Sequence, residues 1–216
     1  MPPDSPLLLG RHGSHFTRLV RIVAAEAGVD LAFQSVPDLR SLDPAAYGGN
    51  PGLKLPTLII GEERIFGAIT ICRRIVGRSH AAFDPIWPEA MSPAMQNAWE
   101  LLSQAMLTQV QLVFGVTISG LPLDHPFFIK AARGLDGTLA WLDERLPGLL
   151  AEVPSRSASL FEAALFCQLD HLRFRPTAEL AERPALERFR QAFGARPSAL
   201  ATPYGPDGAA AKDASR

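Results

Sequence analysis

The stretch Asn50-Pro-Gly-Leu-Lys-Leu-Pro-Thr-Leu58 does most to limit what this chain can become. Proline has a fixed φ and no N–H, so it marks a strand start, an edge or a bulge and not the middle of a sheet. Thr57 to Ile60 reads as a short strand, Gly61-Glu-Glu63 as a turn and Arg64-Ile-Phe66 as a second short run. Gly67 then opens a helical stretch to about Gly77. If the bond before Pro56 is cis, the Leu55 backbone faces outward as a template for an extended peptide.

The residues before this stretch alternate strand and helix. Leu7-Leu-Leu9 is a short apolar run, and Gly10 to Gly13 a loop. Ser14 precedes a helical pattern with Phe16, Val20, Val23, Ala24 and Ala27 on one face. Arg18, Arg21 and Glu26 fall largely outside that stripe, and Gly28 is placed to stop the helix. Leu31 to Val36 is a second strand, and Ser41 to Gly49 one or two short helical turns. The order β-α-β-α-β-β-α with a proline before the third strand is thioredoxin-like.

The remainder reads as helices. Gly77, Ser79, Pro85 and Pro88 mark a linker, pinned by Phe83 and Trp87. A first helix is predicted from Ser92-Pro93 to about Ile118, a second from about His125 to Leu146 and a third over Ser159–Arg173. The third is apolar almost all round, so it belongs at the centre of a bundle. Two shorter helices are predicted near 177–182 and 184–195. The expected organisation is thus a thioredoxin-like βαβαββα domain over 5–78, a linker over 79–89, an all-helical domain over 90–202 and a disordered tail over 203–216.

With 47% hydrophobic residues in 216, the chain can bury a core without staples. The net charge of −1 lacks the basic excess that a nucleic-acid surface needs, so no nucleic-acid partner is expected. Arg18/Arg21 and Arg73/Arg74 read as solvated helix faces. Cys72 and Cys167 are too few and too scattered for a disulfide framework or a metal site, which points to a reduced, cytoplasmic protein. The first residues carry no basic n-region, and no apolar run reaches about 18 to 20 residues, so neither a signal peptide nor a membrane span is expected.

Several motifs in order along nearly the whole chain resemble the cytosolic glutathione S-transferases. Gly10-Arg-His-Gly-Ser-His-Phe-Thr-Arg-Leu-Val-Arg21 is similar to the family loop that carries a catalytic Ser, Tyr or Cys into the first helix. Asn50 to Leu58 resembles the block Asn-Pro-x-Gly-Lys-Val-Pro-x-Leu. Ile65-Phe-Gly-Ala-Ile-Thr-Ile-Cys-Arg-Arg-Ile75 aligns with the helix that usually begins acid-Ser. Ser159-Leu-Phe-Glu162 is similar to the family's buried capping box, Leu169-Asp-His-Leu-Arg-Phe-Arg175 follows it, and Phe193-Gly-Ala-Arg-Pro-Ser198 is a phrase of bacterial members.

The resemblance implies a serine-type, homodimeric enzyme that uses glutathione as co-substrate against a small-molecule electrophile, with no metal. Ser14 would stabilise the glutathione thiolate; read locally, it is equally a helix N-cap. Leu55, before Pro56, would pair with the cysteinyl part through its backbone. Lys54 would meet the glycyl carboxylate; the local alternative is an edge lysine that discourages aggregation. His12 and His15 flank Ser14; His15 is a candidate substrate contact, and both otherwise read as exposed loop residues. Gly67 and Ala68 replace the acid and Ser that hold the γ-glutamyl end, which implies weak glutathione binding or a different ligand. A serine at position 14 excludes mixed-disulfide chemistry, since only a thiol attacks sulfur that way. A non-catalytic binding or scaffold protein on the same fold is the alternative, and a glutathione-using lyase or isomerase a third reading.

Overall fold

The structure, a computed structural model, describes residues 5–79, 83, 85–153 and 159–207. It divides into two compact units. In the first, strand β1 (Leu7–Gly10) is followed by helix α1 (His15–Glu26), β2 (Ala32–Ser35), β3 (Thr57–Ile60), β4 (Glu63–Phe66) and α2 (Ala68–Val76). One 3-10 turn, Pro44–Tyr47, forms within 41–49, where one or two short helical turns were expected; it ends at Gly48, whose φ of 67° favours glycine. The sheet order is β2-β1-β3-β4, with β2 parallel to β1 and both other pairs antiparallel. This is the expected thioredoxin-like arrangement.

The apolar stripe of α1 is wider than the sequence pattern suggested. Leu19, Val20, Ile22, Val23 and Ala24 are buried, and so are His15, Thr17 and Arg18. The reason lies in residues that follow the helical region. Chain from Arg196 onward belongs to the first unit, where α7 (Pro197–Leu200) packs on α1. The Arg18 guanidinium donates to Ala199 O at 3.3 Å and lies 4.3 Å from the Tyr204 ring centroid. Glu26 accepts from Arg196 at 2.9 Å and from Ser198. Arg18 is therefore a covered residue, not part of a solvated face, whereas Arg73 and Arg74 are exposed as expected. The helical domain ends before Arg196 and not at 202. The tail expected to be disordered from 203 is ordered through Asp207; 208–216 lies outside the described residues.

The second unit holds α3 (Pro93–Leu112), α4 (Pro126–Ala151), α5 (Leu160–Phe174) and α6 (Pro184–Gly194). A π-helical turn, Val113–Ile118, prolongs α3. Through Ile118 this helix is long and apolar enough to cross a membrane by length and composition, although no single run had suggested it. Met95, Ala98, Leu102, Ala105, Met106 and Leu112 recur at helical spacing and are buried, so one face of the helix packs inside the unit. Helix α4 runs past Pro147, beyond the predicted stop at Leu146. Burial of Leu149 continues the stripe of Leu135, Leu139, Leu142 and Leu146 and outweighs the ladder bond that proline removes.

No helix forms over 177–182. One turn of helix formers is too short to nucleate without an apolar stripe, and here Leu180 alone is buried between exposed glutamates. Helix α6 lacks a side-chain cap of its own, and Asp143 of α4 accepts from Leu186 N at 2.9 Å instead. Cys72 and Cys167 are buried and are not joined in a disulfide. Phe83 is buried and Trp87 half-buried, as expected of linker anchors.

Helix α5 carries both halves of the capping box. Ser159 Oγ accepts from Glu162 N at 3.1 Å, and Glu162 Oε2 accepts from Ser159 N at 2.8 Å. Ser159 is 2% exposed, so water cannot replace the lost acceptor. Ser159→Ala is expected to lower stability by about 1–2 kcal/mol in a urea melt. Unchanged stability would refute the role.

Candidate functional site

The pairing register brings three loops to one end of the sheet. Leu9 pairs with Thr57, and Thr57 with Phe66. Continued by one residue, the register sets Gly10 across from Pro56 and Pro56 across from Gly67. The loop from β1 into α1, the approach to β3 and the entry to α2 therefore share an edge. It is the carboxyl end of the parallel pair β1 and β2, where ligands of α/β sheets gather. The N-termini of α1 and α2 both start there, each with the partial positive charge of a helix start.

The loop into α1 is tightly knit. Arg11 N donates to Thr17 Oγ1 at 3.2 Å. A Cβ on Gly10 would stand 2.4 Å from Thr17 Cγ2, so this glycine permits the close approach. Ser14 is the N-cap, its Oγ accepting from Thr17 N at 3.2 Å. A hydroxyl has one proton and two lone pairs. The cap uses it as an acceptor, which leaves the O–H to donate outward.

The approach to β3 is held by Asn50, which is 8% exposed. Its amide donates to Lys54 O at 2.8 Å and its carbonyl oxygen accepts from Gly52 N at 2.9 Å. Between them Leu53 adopts a φ of 52°, uncommon for a residue with a branched side chain. The Leu55–Pro56 bond is cis. Leu55 itself adds no rung to the ladder, which starts at Thr57. At the entry to α2, Gly67 has a φ of 83°, and a Cβ there would find nothing nearer than Thr70 Oγ1 at 4.0 Å.

No family model and no curated protein matches the sequence. Solved structures match over nearly the whole chain. A glutathione S-transferase from Methylobacillus flagellatus, crystallised with glutathione, is 25% identical with a TM-score of 0.77, covering 93% of this chain and 100% of that one. A glutathione transferase family member from Pseudomonas fluorescens Pf-5, also with bound glutathione, is 21% identical with a TM-score of 0.77 over the same shares. A glutathione transferase from Populus trichocarpa is 19% identical, covers 91% and 97%, and has a TM-score of 0.71. The chain has the glutathione S-transferase fold.

Within this glutathione S-transferase fold the residues singled out in the sequence do not all share one setting. Leu55, Pro56, Gly67 and Ala68 flank the sheet end described above, and Ser14 closes the loop that leaves β1 there. Lys54 is exposed beside them. His15 departs from expectation. It is the first residue of α1, 2% exposed, with its ring 4.5 Å from that of Phe16, so it is not a loop residue open to ligand. His12 is half-buried against Phe33 at 4.8 Å. His125 caps α4 and His171 is buried in α5. Among the described residues no cluster of His, Cys, Asp or Glu could hold a metal.

Sequence reasoning missed Asp207. Its side chain is 2% exposed and reaches the loop before Ser14. One oxygen accepts from His12 N at 2.6 Å and Ser35 Oγ at 2.7 Å; the other accepts from Gly13 N at 3.0 Å and Arg11 Nε at 3.1 Å. No motif marks it, because it sits in a tail of disorder-like composition, 172 to 196 residues from its partners.

Two predictions follow from this geometry. Asn50→Ala leaves the Gly52 N–H and Lys54 C=O unmatched and is expected to lower stability by about 1–3 kcal/mol in denaturant titration. For Asp207, burial pushes the carboxyl up, but hydrogen bonds from Ser35, Gly13 and His12 and the Arg11 charge outweigh it and hold it below its usual 3.8. A depressed carboxyl adds stability that is complete above 3.8 and is lost as pH falls through the lower folded value. Stability measured from pH 6 downward should therefore fall more steeply in wild type than in Asp207→Asn; parallel curves would contradict the assignment.

Proposed function

We propose that this chain is a glutathione transferase-like enzyme in which Ser14 stabilises a glutathione thiolate for attack on a small hydrophobic electrophile. The observation that carries the reading is that the Ser14 hydroxyl caps α1 as an acceptor, which keeps its proton for another partner, at the end of the loop that leaves β1 across from the approach to Pro56. The glutathione bound in the Methylobacillus and Pseudomonas relatives supports it.

A thiol of pKa about 8.5 is only a few per cent ionised at neutral pH. Lowering it by ~2 units requires about 2.7 kcal/mol of preference for the thiolate. One hydroxyl donor together with a helix N-terminus is of that order. The thiolate then forms the new carbon–sulfur bond while the electrophile's leaving group departs, or its double bond takes up the electron pair and a proton. Leu55 would pair with the cysteinyl backbone, and Lys54 would neutralise the glycyl carboxylate. At the γ-glutamyl end, Ala68 offers only its N–H at the start of α2. Each missing charge-assisted bond from Gly67 and Ala68 weakens binding by roughly 10- to 150-fold.

That loss favours a second reading, a non-catalytic binding protein on the same fold. Titration calorimetry separates the two. The enzyme reading expects glutathione heat at millimolar concentration or below, with a thiolate absorbance that disappears in Ser14→Ala. No heat at about 10 mM, where binding falls below ~3 kcal/mol, favours the binding protein. Ala68→Ser is expected to tighten glutathione by about tenfold or more, since a hydroxyl at the first position of α2 restores one bond.

The proposal includes a cytoplasmic location and a homodimer. Phe114, Ile118, Leu121, Leu123, Phe127 and Ile129 are each 38–55% exposed in the second unit, an apolar run that monomers seldom leave to water. Sedimentation equilibrium should give twice the 23.4 kDa chain mass, and a monomer at micromolar concentration would contradict the dimer.

A further inference from the structure

We propose that Asp207 is a positioning residue for Ser14: its carboxylate, delivered by the strap 196–207, fixes the 10–13 loop from which Ser14 both caps α1 and faces the thiol. The inference deepens the reading above and rests on it for the thiol, though not for the loop.

Four donors converge on this one carboxylate, and three belong to the loop itself: His12 N, Gly13 N and Arg11 Nε. The fourth, Ser35 Oγ, lies at the end of β2, where Ser35 pairs with Gly10. Arg11 also donates to Pro37 O at 2.9 Å, so the clamp ties the loop to the chain leaving β2. A loop has few buried contacts to hold it, and this one must keep a hydroxyl within a fraction of an ångström to stabilise a charge. The strap is anchored independently of its last residue. Arg196 and Ser198 bind Glu26, Arg18 holds Ala199 O and Tyr204, and Thr202 donates to Ser198 O. Asp207 is thus presented by a fixed arm, and its binding to the loop orders little further chain.

The charge arrangement separates positioning from simple electrostatics. A lone carboxylate behind the 10–13 loop would disfavour a thiolate held there, but Arg11 balances it. Removing the negative charge leaves Arg11 unopposed, which by charge alone lowers the pH at which the thiolate forms. Losing the Ser14 position raises that pH. The two effects have opposite signs.

The test is Asp207→Asn, which keeps the shape and turns one acceptor oxygen into a donor. Amide hydrogen exchange by NMR, without glutathione, reads the loop directly. His12, Gly13 and Thr17, the last reporting on Ser14 Oγ, should each exchange about tenfold faster, with Leu58 and Val23 changing far less. Unchanged exchange at Thr17 overturns the proposal. If Leu58 and Val23 speed up as much, the variant is globally weakened and Asp207→Gly decides. There, millimolar formate filling the vacated cradle should slow Thr17 exchange again, and no recovery overturns the proposal. With glutathione bound, the thiolate absorbance midpoint of Asp207→Asn should move to higher pH, and a midpoint that stays or falls overturns it. A wild type that shows no thiolate refutes the enzyme reading instead, and the Thr17 exchange still decides the role of Asp207.

Discussion

The site depends on the register of one short strand. β3 lies between β1 and β4, and its four residues fix which loops meet at the end of the sheet. A slip by one residue would turn Leu58 and Ile60 to the opposite face and carry Gly10 and Gly67 out of line with Pro56. That slip is strongly disfavoured, because Leu58 is fully buried and Ile60 nearly so. Thr57 adds a second lock, its hydroxyl donating to Tyr47 O at 2.8 Å from inside the core. The packing that stabilises the unit is thus also what aligns two helix N-termini with the Leu55 backbone.

Local devices then refine that alignment. Asn50 holds the approach to Pro56 through both ends of its amide, and Asp207 holds the loop before Ser14 through both carboxylate oxygens. Each satisfies backbone groups that an irregular segment would otherwise leave without partners. Each also lets a loop keep a defined shape without joining the sheet. The entry to α2 has no such device: Gly67 is an N-cap without a side chain, and Ala68 adds only a methyl group. The edge is tied down beside Ser14 and Pro56 and left bare at the start of α2. On the proposed reading, this asymmetry suits a site that holds a thiol more selectively than the rest of a tripeptide.

Much of this was legible in the sequence, for physical reasons. Pro56 excludes a mid-sheet position, Gly28 and Gly48 end helical turns, and Ser159 with Glu162 marks the start of α5 by spacing alone. The strap was not legible. It runs into a Gly-, Ala- and Asp-rich stretch from Pro203 onward that by composition reads as disorder, and its partners on α1 and the first loop lie near the other end of the chain. Arg18 misled for the same reason, since local periodicity cannot show a cover that arrives 181 residues later. His15 was read as part of a loop because the capping serine before it left the helix start uncertain by a residue. The 177–182 segment failed in the opposite sense: its propensity favours helix, but one turn without a buried face does not hold.

The account stands on a single shared edge that binds one ligand. Titrating isotope-labelled protein with glutathione and following backbone amide shifts tests this most directly. The account predicts that Gly13 to Thr17, Leu55 with Thr57, and Gly67 to Ile69 move together along one saturating curve. Shifts confined to other parts of the chain, or three segments that respond with different affinities, would contradict it.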